Sequence, residues 1–217
     1  MYTLPIQIPQ YLKINGVNQI VIDSWAKKKL TEGYLQIPTT KILIKVGLKV
    51  SKLNIKQIRL VPKNGYIVLE FVHEVPDIKP KTDNKKYMSI DLGINNLCSC
   101  SSNAVSSFII NGKPVKTINQ YYNKQVAKYK SICETVNKCK ISKRIKRLNY
   151  KRTNKIEDYF HKVSRYIVNQ LVSNNINTLV IGHNNYWKQD TKLGKKTNQN
   201  FVQIPFNKLI QMLSYKC

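Results

Sequence analysis

Acidic residues are scarce: 11 Asp and Glu stand against 37 Lys and Arg in a chain of 217 residues, leaving a formal charge of +26. No apolar run approaches the roughly 18 residues of a membrane span, so no membrane partner is expected. The opening residues, Met1 to Tyr11, lack the basic-then-apolar profile of a secretory signal, which makes a cytoplasmic location the expectation. Cys-x-x-Cys pairs are missing too. Cys98, Cys100, Cys133, Cys139 and Cys217 are odd in number and irregular in spacing, so neither a disulfide framework nor a zinc site is expected, only incidental or buried thiols. Glycine and proline are sparse at 8 each while 42% of residues are hydrophobic, which excludes low-complexity disorder.

What is abundant is positive charge. Such an excess repels itself in a lone compact chain and suits a polyanion. Nucleic acid is the expected partner; an anionic membrane surface fits less well, because no basic amphipathic helix stands free of a core.

The chain changes texture along its length. Residues 1–76 read as a β-rich, small antiparallel sheet or barrel-like domain. Ile42, Ile44, Val46, Leu48 and Val50 alternate with mainly polar or small neighbours, the period of a half-buried strand. Runs at 58–61 and 66–75 flank Pro62-Lys63-Asn64-Gly65, where Asn-Gly supplies the positive φ of a tight hairpin. A short helix is expected at 23–30. Residues 77–86, charged and poor in apolar side chains, read as a linker.

Residues 87–217 read as α/β, with a mixed sheet and helices. A strand ends at Asp91, and 96–101 and 106–110 continue it as a meander closed by Asn111-Gly112. Tyr122, Val126, Tyr129, Cys133 and Val136, then Ile141, Ile145 and Leu148, draw an apolar stripe on a long helix or helical hairpin; Tyr121, Tyr122 and Tyr129 read as structural. Ile156, Phe160, Val163, Ile167 and Leu171 draw a second stripe, with Asn154 as its cap and Asn174-Asn175 as its end. A buried strand is expected at 178–182 and a helix at 205–215.

Asp91 is the most informative residue. It follows an apolar strand and precedes Leu92-Gly93, so its carboxylate is expected at the edge of a sheet, not on its face. Carboxylates on a rigid frame hold Mg²⁺ in phosphodiester-cleaving enzymes; an Asp at such a point also serves simply to cap a turn.

The heptad Asp91-Leu92-Gly93-Ile94-Asn95-Asn96-Leu97 resembles the first RuvC motif of the TnpB/OrfB family of transposon-encoded proteins, relatives of Fanzor proteins and type V CRISPR effectors. Segments at 108–114, 118–123, 161–166, 180–184, 187–189 and 198–205 resemble one branch of that family in consistent order, so the likeness covers about 40 to 215. The resemblance implies an RNase H-like (RuvC-type) core preceded by a barrel that grips guide RNA and DNA target, in the manner of an RNA-guided DNA endonuclease tied to insertion sequences. It implies Asp91 as catalytic residue and metal ligand, with Mg²⁺ as the cofactor of the complete site.

The chain departs from that pattern. Downstream of Asp91 the only acids are Glu134, Glu157, Asp158 and Asp190, and none ends a strand. Gly182 stands where many relatives carry a second catalytic acid. The resemblance places the remaining acids and a four-cysteine zinc module beyond Cys217, and a helical lobe that residues 1–35 do not supply, so a truncated or split frame that does not cleave alone is the expectation.

From Lys113 to Lys155 there are 14 basic residues and one acid, a basic helical insertion at 113–155. A solvated helix face mixes signs for pairing one turn apart, so this near-absence of acids favours phosphate contact by Lys138, Lys140, Lys143, Arg144, Lys146, Arg147, Lys151 and Arg152. Trp187 with Lys188 is placed either to stack on a base or to pin its loop to the core. His161 reads as a packed or capping histidine, and 192–196 as a basic loop without the signature of a P-loop. Three functions remain: a TnpB-like nuclease present in part, a catalytically silent nucleic-acid-binding protein, and an RNA-associated structural protein.

Overall fold

In the computed structural model the described residues are 18–22, 30–31, 33–47, 53–63, 66–77, 79–136, 142–183 and 194–217. The chain divides into two units, Met1–Ile78 and Lys79–Cys217.

The first unit holds strands β1 (Ile20–Ile22), β2 (Leu30–Thr31), β3 (Tyr34–Gln36), β4 (Leu43–Lys45), β5 (Ile55–Lys63) and β6 (Tyr66–His73). They form two antiparallel sheets, β1-β5-β6 and β2-β3-β4. Ile22, Leu35, Ile55 and Ile58 are buried between them, with Leu60, Leu69 and Phe71 packed alongside. The expected barrel is not closed among the described residues, where four of the six strands span only two or three residues. The long alternating strand expected from Ile42 onward is likewise short: Ile42 and Leu43 are exposed, and Ile44 and Val46 alone turn inward. Leu48 and Val50 lie outside the described residues, as does most of the expected helix at 23–30, whose last residue, Leu30, is in β2.

Strand β5 runs through Pro62, which pairs with Ile67 of β6. A proline lacks an N–H for a second neighbour, and β1 pairs only as far as Leu60, so Pro62 lies where that side of β5 is free.

The second unit is built on β7 (Tyr87–Leu92), β8 (Asn96–Ser102) and β9 (Phe108–Asn111), the expected meander, followed by α1 (Lys113–Thr135), α2 (Lys143–Ser173), β10 (Thr178–Ile181), α3 (Lys195–Val202) and α4 (Phe206–Ser214). The sheet order is β10-β7-β8-β9, with β10 parallel to β7 and the other pairs antiparallel. A parallel neighbour needs a crossover, and α1 and α2 provide it.

Alternation along β7 decides the faces. Met88, Ile90 and Leu92 point into a core with Val115 of α1, Ile156, Phe160 and Ile167 of α2, and Phe206 and Leu209 of α4. Each such side chain contributes about 1.5–3 kcal/mol on burial. Tyr87, Ser89 and Asp91 point to the opposite, exposed face. In β8 a register irregularity between Asn96 and Cys98 buries Leu97 and Cys98 consecutively.

Helix α1 starts where Gly112 caps it and Pro114 occupies the first turn. The second apolar stripe does not begin a new helix at Asn154. Helix α2 is continuous from its cap, Ser142, whose Oγ accepts from Ile145 N at 3.3 Å. Its inward stripe runs Leu148, Arg152, Ile156, Phe160, and the half-buried arginine gives the pattern its apparent break. The end at Asn174-Asn175 is as expected, with Asn175 at φ 51°. Strand β10 is an edge strand, not a buried one: Val180 is exposed and its neighbours are half-buried. The basic loop expected through residue 196 gives way at Gly194 to α3. Among the described residues no helix is long and apolar enough to cross a membrane.

Candidate nucleic-acid interface and carboxylate groove

Asp91 pairs with Ser99 across β7 and β8. It sits on the open face of a central strand rather than at the sheet edge, because β10 covers the other side of β7. There it lines a groove of about 620 Å³ with Ser89, Ser101, Ile109, Val180 and Gly182. Gly182 N donates to Ile90 O at 3.0 Å, which continues the parallel register and sets residue 182 beside Asp91.

Among the described residues no other acid lines the groove. Glu157 is paired with Lys208 of α4, Asp158 with Lys162 one turn on, and Glu134 is exposed on α1. Asp190 lies outside the described residues; among the described residues no group of three His, Cys, Asp or Glu able to hold a metal occurs. Mg²⁺ takes about six oxygen ligands, with one or two carboxylates for each ion. The described groove offers one carboxylate, so its described residues do not fit a Mg²⁺ pair.

The expected cations lie on the α1–α2 hairpin. Lys143, Arg144, Arg147 and Lys151 line a cleft of about 600 Å³ with Leu148 and, from α1, Tyr121, Gln125 and Tyr129. Arg144 stacks on Tyr129, its guanidinium carbon 4.5 Å from the ring centroid. Among the described residues none of Lys143, Arg144, Lys146, Arg147 and Lys151 is ion-paired. Lys146 is exposed beside the cleft without lining it. Lys138, Lys140, Trp187 and Lys188 lie outside the described residues.

Arg152 is placed differently from its neighbours. Its Nε donates to Asn119 Oδ1 at 2.6 Å and its Nη2 to Gln203 O at 2.8 Å, with the guanidinium over the Tyr122 ring. Gln203 in turn exchanges two amide hydrogen bonds with Asn123, at 2.8 and 2.9 Å. Burial holds the Arg152 pKa below its usual value. This arginine ties α1, α2 and the end of α3 together.

The tyrosines were only partly legible. Tyr122 is half-buried under Arg152, but Tyr121 is 60% exposed and faces the cations. The signal was its spacing: Tyr121, Gln125 and Tyr129 recur every four residues, a row that meets the apolar stripe only at Tyr129. His161 is exposed, its Nδ1 3.5 Å from Lys216 Nζ. Burial pushes the Cys98 and Cys100 thiols up to about 12 and about 11, as suits inert core residues.

The described second unit is thus a mixed α/β sheet with helices on one face, an acid in the open groove, and a basic helical hairpin beside its core. A family profile, OrfB_IS605, described as a probable transposase, matches residues 70–188. The chain belongs to that family. The comparison with curated proteins gives no match. Among solved structures, a chain of the cryo-EM Cas12f1–sgRNA–target DNA complex is similar over 89% of this chain, with a TM-score of 0.53 and 15% identity. A chain of a CRISPR-Cas12f ternary complex is similar over 76% of this chain, with a TM-score of 0.41 and 15% identity. This chain spans 39% and 34% of the lengths of those two.

Proposed function

We propose that this chain is a TnpB-like, nucleic-acid-binding member of the OrfB family, with an RNase H-like (RuvC-type) core, that engages guide RNA and target DNA and does not cleave DNA by itself. The observation that carries this reading is the hairpin, whose cations line a cleft that contains no acid among the described residues. Lys146 adds to the phosphate-binding set; Lys138, Lys140 and Lys188 as phosphate contacts and Trp187 as a stacking contact are proposed from the sequence alone, since they lie outside the described residues. The β-rich first unit grips the nucleic acid. Asp91 is then one carboxylate of a Mg²⁺ site whose other ligands are not among the residues lining its groove. The solved Cas12f1 chain, similar in fold, is in a complex with sgRNA and target DNA, which supports nucleic acid as the partner class.

A second reading, a catalytically silent binder or RNA-associated structural protein, is favoured by the single acid of the groove. Binding and nicking assays test the first reading, and a Mg²⁺ affinity that falls in Asp91→Ala separates it from the second. Affinity for RNA and DNA is expected to fall steeply with salt, by about one logarithmic unit of slope per phosphate contact. No Mg²⁺-dependent nicking is expected of the chain alone, with or without co-purified RNA. Salt-independent affinity, or none, overturns the nucleic-acid reading; nicking abolished by Asp91→Ala overturns the claim that the chain does not cut.

A further inference from the structure

The hairpin cleft has two chemically different walls. On α1, Tyr121, Gln125 and Tyr129 follow one another at intervals of four, a row about 12 Å long. On α2, Arg144, Arg147 and Lys151 face them at intervals of three and four, with Lys143 next to Arg144. A strip meant only for the phosphates of a duplex needs the second wall but not the first, because paired bases are already stacked on one another. An unpaired base, in contrast, exposes a ring face that an exposed phenol covers. Tyr121 is such a phenol, open to solvent within the cationic cleft. Gln125 stands between the tyrosines with an amide able both to donate to and accept from a base edge. The contact of Arg144 with the Tyr129 ring holds that guanidinium at the wall.

The geometry points to the α1–α2 cleft as a site for single-stranded nucleic acid, in which a base stacks on Tyr121 while Lys143, Arg147 and Lys151 hold the flanking phosphates. This rests on the nucleic-acid reading above and narrows it to an unpaired strand at a defined place. It also assigns a ligand-contacting role to a tyrosine whose spacing otherwise suggests packing.

Fluorescence anisotropy with the full chain tests it, using a labelled uridine homopolymer of about ten nucleotides and a duplex of the same length. Tyr121→Ala is expected to weaken single-strand binding about fivefold or more and leave duplex binding unchanged, while Tyr121→Phe keeps wild-type affinity. Arg147→Gln with Lys151→Gln is expected to lower the single-strand salt slope by about 1.4 units. Because Tyr121 is exposed, an unchanged circular dichroism spectrum is expected for its variants. Equal loss on both ligands, or no loss with Tyr121→Ala, overturns the site while the broader function stands. Absence of salt-sensitive binding by the wild-type chain removes both.

Discussion

The Nε of Arg152 lies 2.6 Å from Oδ1 of the fully buried Asn119, the only partner that amide has among the described residues, since its Nδ2 makes no hydrogen bond. Arg152 and Arg147 therefore serve different ends, although both stand in one basic run of a single helix. Arg152→Met is expected to leave both ends of a buried amide unsatisfied and to cost about 3 kcal/mol in urea unfolding. Arg147→Gln is expected to change stability by no more than about 0.5 kcal/mol while weakening nucleic-acid binding. Equal stability of the two variants would contradict the assignment.

Gly112 is needed for its lack of a side chain. A Cβ there would stand 2.0 Å from Ile94 O, and the Gly112 N–H donates to Asn95 O at 2.7 Å. Gly112→Ala is expected to separate the β7–β8 turn from the start of α1 and to destabilise the chain by about 3 kcal/mol, seen as a fall in Tm.

Gly182 offers the opposite case. A Cβ there meets nothing nearer than Ile90 O at 3.7 Å, and the register sets it beside Asp91. Gly182→Glu is expected to bring a second carboxylate into the groove and raise affinity for Mn²⁺ at least about tenfold in calorimetric titration. Adding Asp91→Ala should abolish that gain. An unchanged affinity in Gly182→Glu would show that the two positions do not share a site.

Alkaline pH reaches the core through β8. Burial moves the Cys98 thiol from 9.0 to about 12, with Cys100 contributing, and moves Cys100 to about 11. An acid whose folded pKa is raised stabilises the fold fully below its unfolded value and loses that contribution as pH climbs through the folded one. Stability is thus expected to decline between pH 9 and about 12. The double variant Cys98→Ala, Cys100→Ala should show a shallower decline in urea midpoints over that interval. Iodoacetamide at mildly alkaline pH should modify exposed Cys217 before either buried thiol.

Local pattern revealed what local pattern determines. The β7–β9 meander follows from alternation and from Asn111-Gly112, and the end of α2 from Asn174-Asn175. Misreadings arose where a distant partner decides. Arg152 interrupts the apolar stripe of α2 because Asn119 and Gln203 accept its hydrogen bonds, and no helical periodicity anticipates such a clasp. Strand β10 reads as buried from Leu179, Val180 and Ile181, yet its place at the margin of the sheet is set by pairing with β7. That same pairing puts Asp91 on an open sheet face instead of a rim. Tyr121 shows a subtler limit: its spacing marks a helix, but only the facing α2 tells which side of the helix is wet.

The parallel union of β10 with β7 also orders events in time. The meander is local and can zip as soon as it is made, whereas the remaining flank of β7 stays bare until two long helices have been synthesised and folded back. That pairing is a long-range closure, slow relative to the zipping of the meander. Until it happens, a growing polypeptide displays the backbone donors and acceptors that will later meet Thr178 to Ile181, which makes the interval on the ribosome the stage most exposed to mispairing.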